Sequence, residues 1–243
     1  MKKLFALLLA ASTLTSGIGI TASAHTKPGT APHQKDDREV KNFNGVASAG
    51  PINVIVTLGN TESCRLEGDA DALATIVTEV KGNVLVIRPQ TSIRSWSNKY
   101  EGKKITAYVT AKELASLTVS GDGSLTVNGK ISTGSLTTTV SGSGNIKASA
   151  DVNNYSGVIS GSGSINITGG ADHAKVVISS SGTLAGKSFA VKTLSTTISG
   201  SGTVNIAVDE SIRAVISGSG SVNYSGNPTV DKTVIGSGKV RKV

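Results

Sequence analysis

Cysteine is nearly missing from this chain. Cys64 is the only one among 243 residues, so no intramolecular disulfide can brace the fold. Lying in the strand-like run Ser63-Cys64-Arg65-Leu66, it reads as a buried, inert thiol. Aromatic residues make up 3% of the chain, which leaves few rings on which sugars or nucleobases could stack. Three histidines occur, and His25 and His33 precede the ordered region, leaving His173 alone. One His and one Cys without metal-ligand spacing exclude a zinc site. No catalytic His/Asp/Ser set exists, and no cofactor is expected. Beyond the N-terminus no segment approaches ~18 continuous apolar residues, so no membrane span is expected.

What the chain has in quantity is glycine and serine in a fixed pattern. A hydrophobic residue followed by Ser-Gly-Ser-Gly, or a close variant, begins at Val119, Val140, Ile159, Ile178, Ile198, Ile216 and Val234. Successive starts lie 21, 19, 19, 20, 18 and 18 residues apart. Self-similarity at this period marks a solenoid. A disordered Gly/Ser linker would not bracket every cluster with β-branched residues in constant phase.

Alternate residues before each start share one face of a strand. These are Leu136/Thr138/Val140, Tyr155/Gly157/Ile159, Ala174/Val176/Ile178, Leu194/Thr196/Ile198 and Ile212/Ala214/Ile216. After the glycine corner a second short strand follows, with Ile146/Ala148, Ile165/Ile167, Val204/Ile206 and Val222/Tyr224 inward. One coil is therefore strand, glycine corner, strand and a looser polar corner. Such a coil cannot bury its own apolar face, so stability must come from stacking on neighbours in parallel ladders. The expected fold is all-β: a parallel β-solenoid (β-helix) with coils of 18–21 residues and an irregular, β-rich N-terminal cap.

Residues 1–24 read as a secretory signal peptide, with Lys2 and Lys3, an apolar stretch from Leu4 to Ala11, and Ala22-Ser23-Ala24 before His25. The mature chain is expected to be exported, to the periplasm or the cell surface. Its net charge falls from +8 to +6, because the signal holds two Lys and no acid. Residues 25–41 are polar and read as a flexible leader. Residues 42–243 form one solenoid domain, with 42–114 as the cap portion and 115–243 as the repeats. Strands are expected at Val46–Ala49, Ile52–Leu58, Cys64–Glu67, Val84–Arg88 and Ile105–Thr110. Asp71 to Thr78 reads as one or two helical turns with Asp71 as N-cap. A polar, basic insert spans Gln90 to Lys104.

Several chemistries can be weighed on the repeat. A phosphate cradle needs a third glycine or a lysine in a loop that opens a helix; these corners have neither. A calcium β-roll needs Asp in every turn, yet only Asp122 occupies that place and serines occupy the equivalents. Asp151, Asp172, Asp209 and Glu210 fall near one edge, with Lys175 close to Asp172 in sequence. Stacked acids beside a basic residue would suit a polysaccharide-active enzyme, but Lys187-Ser188-Phe189 interrupts the column. The outer face carries a ladder of Thr118, Thr139, Val158, Val177, Thr197, Val215 and Thr233, a flat surface that could dock a partner or order water and that β-propensity also explains without function. For recognition the insert ranks first: Arg94, Trp96, Lys99 and Tyr100 set two aromatics among basic residues. Lys239, Arg241 and Lys242 blunt the edge of the last coil, unless that end pairs with a second copy.

One set of motifs points to a family: Phe43-x-x-Val46, Gly50-x-Ile52-x-Val54-x-Val56, Leu66-Glu67-Gly68-Asp69, Gly82-x-x-Leu85-x-Ile87, and the corners ending in Gly236-Ser237-Gly238. In these, over roughly residues 42–243, the chain resembles the auto-transporter adhesins with a head GIN domain, a bacterial domain of unknown function. The resemblance implies a β-helical secreted or surface protein and transfers no catalytic residues. The expected function is non-enzymatic adhesion or cell-envelope interaction. An envelope polysaccharide or another protein is the expected partner, not nucleic acid. The alternatives are a polysaccharide-active β-helix enzyme and a structural self-assembly module.

Overall fold

The computed structural model describes residues 33–90 and 103–243. The signal segment 1–24, the start of the leader, and Arg94, Trp96, Lys99 and Tyr100 of the insert lie outside the described residues.

The repeats form stacked parallel coils of about 19 residues, a β-solenoid of about seven turns, as the period predicted. Five long strands make up the middle: β9 (Ser124–Gly142), β10 (Asn145–Gly161), β11 (Ser164–Ser180), β12 (Thr183–Gly200) and β13 (Thr203–Gly218). Each pairs in parallel with the next, and equivalent residues stand level: Val140, Ile159, Ile178, Ile198 and Ile216 form one column. The chain continues through β14 (Ser221–Ser225), β15 (Thr229–Ile235) and β16 (Lys239–Lys242), with β14 and β15 on β13 and β16 on β14. The inward sets read from the sequence are buried, apart from the partly buried Tyr224, and one hydrophobic core runs from Val40 to Val222.

The coil has one more side than expected. In β10 the inward residues are Ile146 and Ala148, then Ala150 and Val152, then Tyr155, Gly157 and Ile159, with a change of phase at Asn153-Asn154. The looser polar corner thus contains a third short run whose core residues are Ile131, Val152, Ala171, Val191 and Val208. Ile131 and Val152 lie between polar residues, whereas Val191 and Val208 follow Ala190 and Ala207.

Glycine is favoured at the repeat corners, where only Ser180 among the column's described residues replaces it. Gly121, Gly142, Gly161, Gly200, Gly218 and Gly236 all have φ between 107° and 127°, where side chains clash with their own backbone. At Gly142 a Cβ would also lie 2.8 Å from the carbonyl oxygen of Gly121 one coil away. Corner amides extend the ladder: Ser143 N–H donates to Gly121 O at 3.1 Å and Asn145 N–H to Gly123 O at 3.0 Å.

The N-terminal part follows the same geometry in a different chain order. β2 (Gly45–Ala49) and β3 (Ile52–Leu58) form a coil with its own corner at Gly50. On one side lie β8 (Ser116–Gly121) and the start of β9; on the other lie β6 (Val84–Pro89) and β7 (Ile105–Ala111). The chain therefore lays the β6/β7 coil outside β2/β3 and returns across it. The insert connects β6 to β7, the place in the chain that a glycine corner holds elsewhere. Antiparallel strands finish this end: β4 (Ser63–Asp69) on β7, β5 (Ile76–Lys81) on β6, and β1 (His33–Arg38) on β4.

Two local expectations are corrected. The leader expected to be flexible contains β1, whose six residues pair with β4 from His33↔Asp69 to Arg38↔Cys64. It has little apolar content because it is an edge strand, where charge is favoured. The helical segment is only α1 (Ala70–Leu73), capped by Asp69 rather than Asp71: Ala72 N–H donates to Asp69 Oδ1 at 3.1 Å. Ile76 to Lys81 is strand β5, its β-branched residues paired to β6.

Candidate functional site: a lateral trough

The side chains immediately before and after an inward residue point outward. On stacked coils they form two parallel walls with backbone between them. Before the glycine corner this produces a trough with a volume of about 650 Å³. Its floor is the main chain at Leu136, Tyr155, Ala174, Leu194 and Ile212. One wall is the column Ser135, Asn154, His173, Thr193, Ser211 and Thr229; the other is Thr137, Ser156, Lys175, Ser195, Arg213 and Asp231. All twelve residues have a side-chain hydrogen-bonding group.

The first wall holds no Lys, Arg or carboxylate. Its one ring, His173, has Nδ1 2.9 Å from Thr193 Oγ1, which fixes its orientation. The second wall carries Lys175 and Arg213, with Ser195 level between them. Arg213 Nε lies 3.4 Å from Asp231 Oδ2, and both side chains are largely exposed. The interior behind the floor is tightly filled. Tyr155 is buried, its hydroxyl 2.7 Å from Thr138 Oγ1, and its ring meets Phe189 edge-on at 5.1 Å. Burial pushes the Tyr155 hydroxyl well above the usual tyrosine range, so it is a packing group rather than an acid.

The acidic corner is a separate surface around Asp151, Asp172, Lys192 and Asp209. Asp151 stands level with Gly170, so the two aspartates fall in different columns. Each is paired with a lysine of a neighbouring coil: Asp151 with Lys130 and Asp172 with Lys192, both at 2.7 Å. The Lys192 hydrogen bond holds the Asp172 carboxyl below the usual carboxylate range, the reverse of what a general acid needs. Lys175 lies in the trough, not in this corner. Phe189 does interrupt the sequence pattern, but the extra length is taken up as a register shift between Gly186 and Ala190, and Phe189 turns inward.

Other sequence candidates also resolve. Cys64 is buried, and desolvation pushes its thiol up to about 12, consistent with an inert group. Among the described residues no three His, Cys, Asp or Glu side chains gather as a metal-binding group. The glycine corners offer no anion nest at the amides of Ser143, Ser162, Ser181, Ser201 and Ser219, because those amides are spent on the adjacent coil. The Thr/Val ladder is real: Thr118, Thr139, Val158, Val177, Thr197, Val215 and Thr233 are level across seven coils. The trough was not anticipated, although its signal is in the sequence. The fifth residue before every repeat start from Val140 to Val234 is Ser, Thr, Asn or His.

The described residues form a parallel β-solenoid with a polar lateral trough. The chain belongs to the family described as putative auto-transporter adhesin, head GIN domain, whose model matches residues 42–228. Membership implies a surface or exported protein. A putative adhesin from Bacteroides fragilis NCTC 9343 is similar in structure, with a TM-score of 0.76, 21% identity, and coverage of 87% of this chain and 97% of that one. A putative lipid binding protein from Parabacteroides distasonis ATCC 8503 has a TM-score of 0.67, 21% identity, and coverage of 87% and 96%. A putative adhesin from the same strain has a TM-score of 0.66, 22% identity, and coverage of 88% and 98%. At these identities the likeness shows the fold alone. No curated protein matches the sequence. Among the described residues no helix is long and apolar enough to cross a membrane.

Proposed function

We propose that this chain is an exported, non-enzymatic adhesion-type protein that holds an extended, polyhydroxylated polymer of the cell envelope, a glycan, along the lateral trough. The observation that carries this reading is the unbroken first wall, six coils of Ser, Asn, His and Thr side chains in register. Hydroxyl and amide groups at a strand spacing of about 4.8 Å match a ligand that presents hydroxyls at every unit. The spacing is close to the length of one extended pyranose, and the six coils span roughly 24 Å. Groups on a rigid ladder lose little freedom on binding, which favours affinity from many weak contacts. We also propose Arg94, Trp96, Lys99 and Tyr100 of the insert as a second contact.

The test is a glycan array with envelope-fraction capture, using the wild type, Ser195→Trp to obstruct the trough, and a deletion of 91–104. The expected result is glycan capture that Ser195→Trp abolishes and the deletion weakens. Capture unchanged by Ser195→Trp would remove the trough from the reading. Turnover of any polysaccharide, lost in Asp151→Asn or Asp172→Asn, would replace this reading with an enzymatic one.

A further inference from the structure

Resting on that reading, we infer that the glycan held in the trough is acidic, with a carboxylate on every second sugar and neutral sugars between. The trough's cations stand on one wall only. Along that wall Thr137, Ser156, Lys175, Ser195, Arg213 and Asp231 follow one another coil by coil, so the two cations are separated by one hydroxyl. Two coil steps put them about 10 Å apart, close to the length of a disaccharide.

The opposite wall decides between an alternating and a uniform polyanion. Successive sugars of an extended, β-linked chain turn their substituents to opposite sides. A chain with an acid on each sugar would therefore present carboxylates to both walls. Facing Lys175 and Arg213 are His173, Thr193 and Ser211, with neither Lys nor Arg among them. Only an alternating chain puts every carboxylate on the cationic side and every neutral sugar on the hydroxyl side. Among the described residues no carboxylate lies within 4.0 Å of Lys175, and the Arg213 guanidinium, 3.4 Å from Asp231 at Nε, belongs to a largely exposed side chain that stays open to a ligand carboxylate. Asp231, one coil beyond Arg213, sets the limit of the acidic register by repelling a further carboxylate there.

The experiment is calorimetric titration of the full chain with four probes. They are an alternating uronate/N-acetylhexosamine hexasaccharide, a homopolymeric uronate hexasaccharide, neutral cellohexaose and poly-glutamate of similar length. The alternating hexasaccharide is expected to bind tightest, with an affinity that falls as salt rises. Lys175→Gln and Arg213→Gln should each weaken it by roughly twofold to fivefold, the worth of one exposed ion pair, and flatten the salt dependence. Both positions are exposed, so folding is checked by circular dichroism and expected unchanged. Equal binding of cellohexaose, insensitive to both substitutions, overturns the charge inference and leaves the trough reading standing. Tighter binding of the homopolymer overturns the alternation. Binding of poly-glutamate alone assigns the surface to an acidic peptide and overturns the glycan. Absence of binding to all four overturns the trough reading and this inference together.

Discussion

Single residues carry distinct loads in this fold, and Ser180 is the clearest. It stands in the corner column between Gly161 and Gly200 and shares their backbone, with φ of 117°. A residue with a Cβ is strained there, whereas glycine is not. Ser180→Gly should stabilise the protein by about 1 kcal/mol, the strain relieved less the extra freedom of the unfolded chain. Urea denaturation would check the sign; a lower midpoint would mean that the serine is not strained. Gly157 is fixed for another reason. A Cβ there would lie 2.9 Å from the Tyr155 hydroxyl, so glycine makes room for the ring that fills the interior behind the trough floor. Glu62 acts where the chain passes from β1 to β2. Its carboxylate accepts the N–H groups of Asn42 and Phe43 at 3.0 and 3.2 Å, and these bonds hold its pKa below the ordinary value of 4.5. A lowered folded pKa means that the contribution is fully present above pH 4.5 and is lost as pH falls through the lowered value. Amide exchange at Asn42 and Phe43 should therefore accelerate on acidification, and Glu62→Gln should be fast already at neutral pH. Equal, pH-independent protection in both proteins would contradict the clamp.

Elements differ in how far the sequence reveals them. The repeat strands were legible because period, phase and corner chemistry agree: Leu136/Thr138/Val140 and its equivalents are buried as alternation requires. The third run of the coil was not, since Ile131 and Val152 sit between polar neighbours in a stretch that reads as a polar corner. β1 was not legible either. Lys35, Asp36, Asp37 and Arg38 resemble a solvated tail, and only the partner edge of β4 makes them a strand. That pairing has a purpose at this scale, because an open β4 edge is a template for another chain. A variant lacking residues 25–38 should therefore self-associate with rising concentration in light scattering while the wild type does not. An unchanged molecular mass would show that β4 needs no cover. The trough was legible only after stacking was known: residues five and three before each repeat start become walls once the coils are in register.

At the scale of the whole molecule, stability is a sum of contacts between adjacent coils rather than a property of one central core. Ile178 lies in the middle of the stack, fully buried between Ile159 and Ile198. Val234 is its equivalent in the last coil, only partly buried, with Ile216 level on one side. Ile178→Ala removes packing at two interfaces and leaves a cavity that rigid neighbouring coils cannot fill. It should cost about 2–5 kcal/mol. Val234→Ala removes a smaller group at one interface and should cost no more than about 1 kcal/mol. The trough extends along both coils, so the two substitutions also separate stability from recognition. Ile178→Ala should loosen the ladder beneath Lys175 and weaken ligand capture, whereas Val234→Ala should leave capture at that position unchanged. Denaturation midpoints for the pair give the comparison. Equal losses at the two positions would mean that the coils unfold as one globular core, and the nearest-neighbour account of the fold would fail.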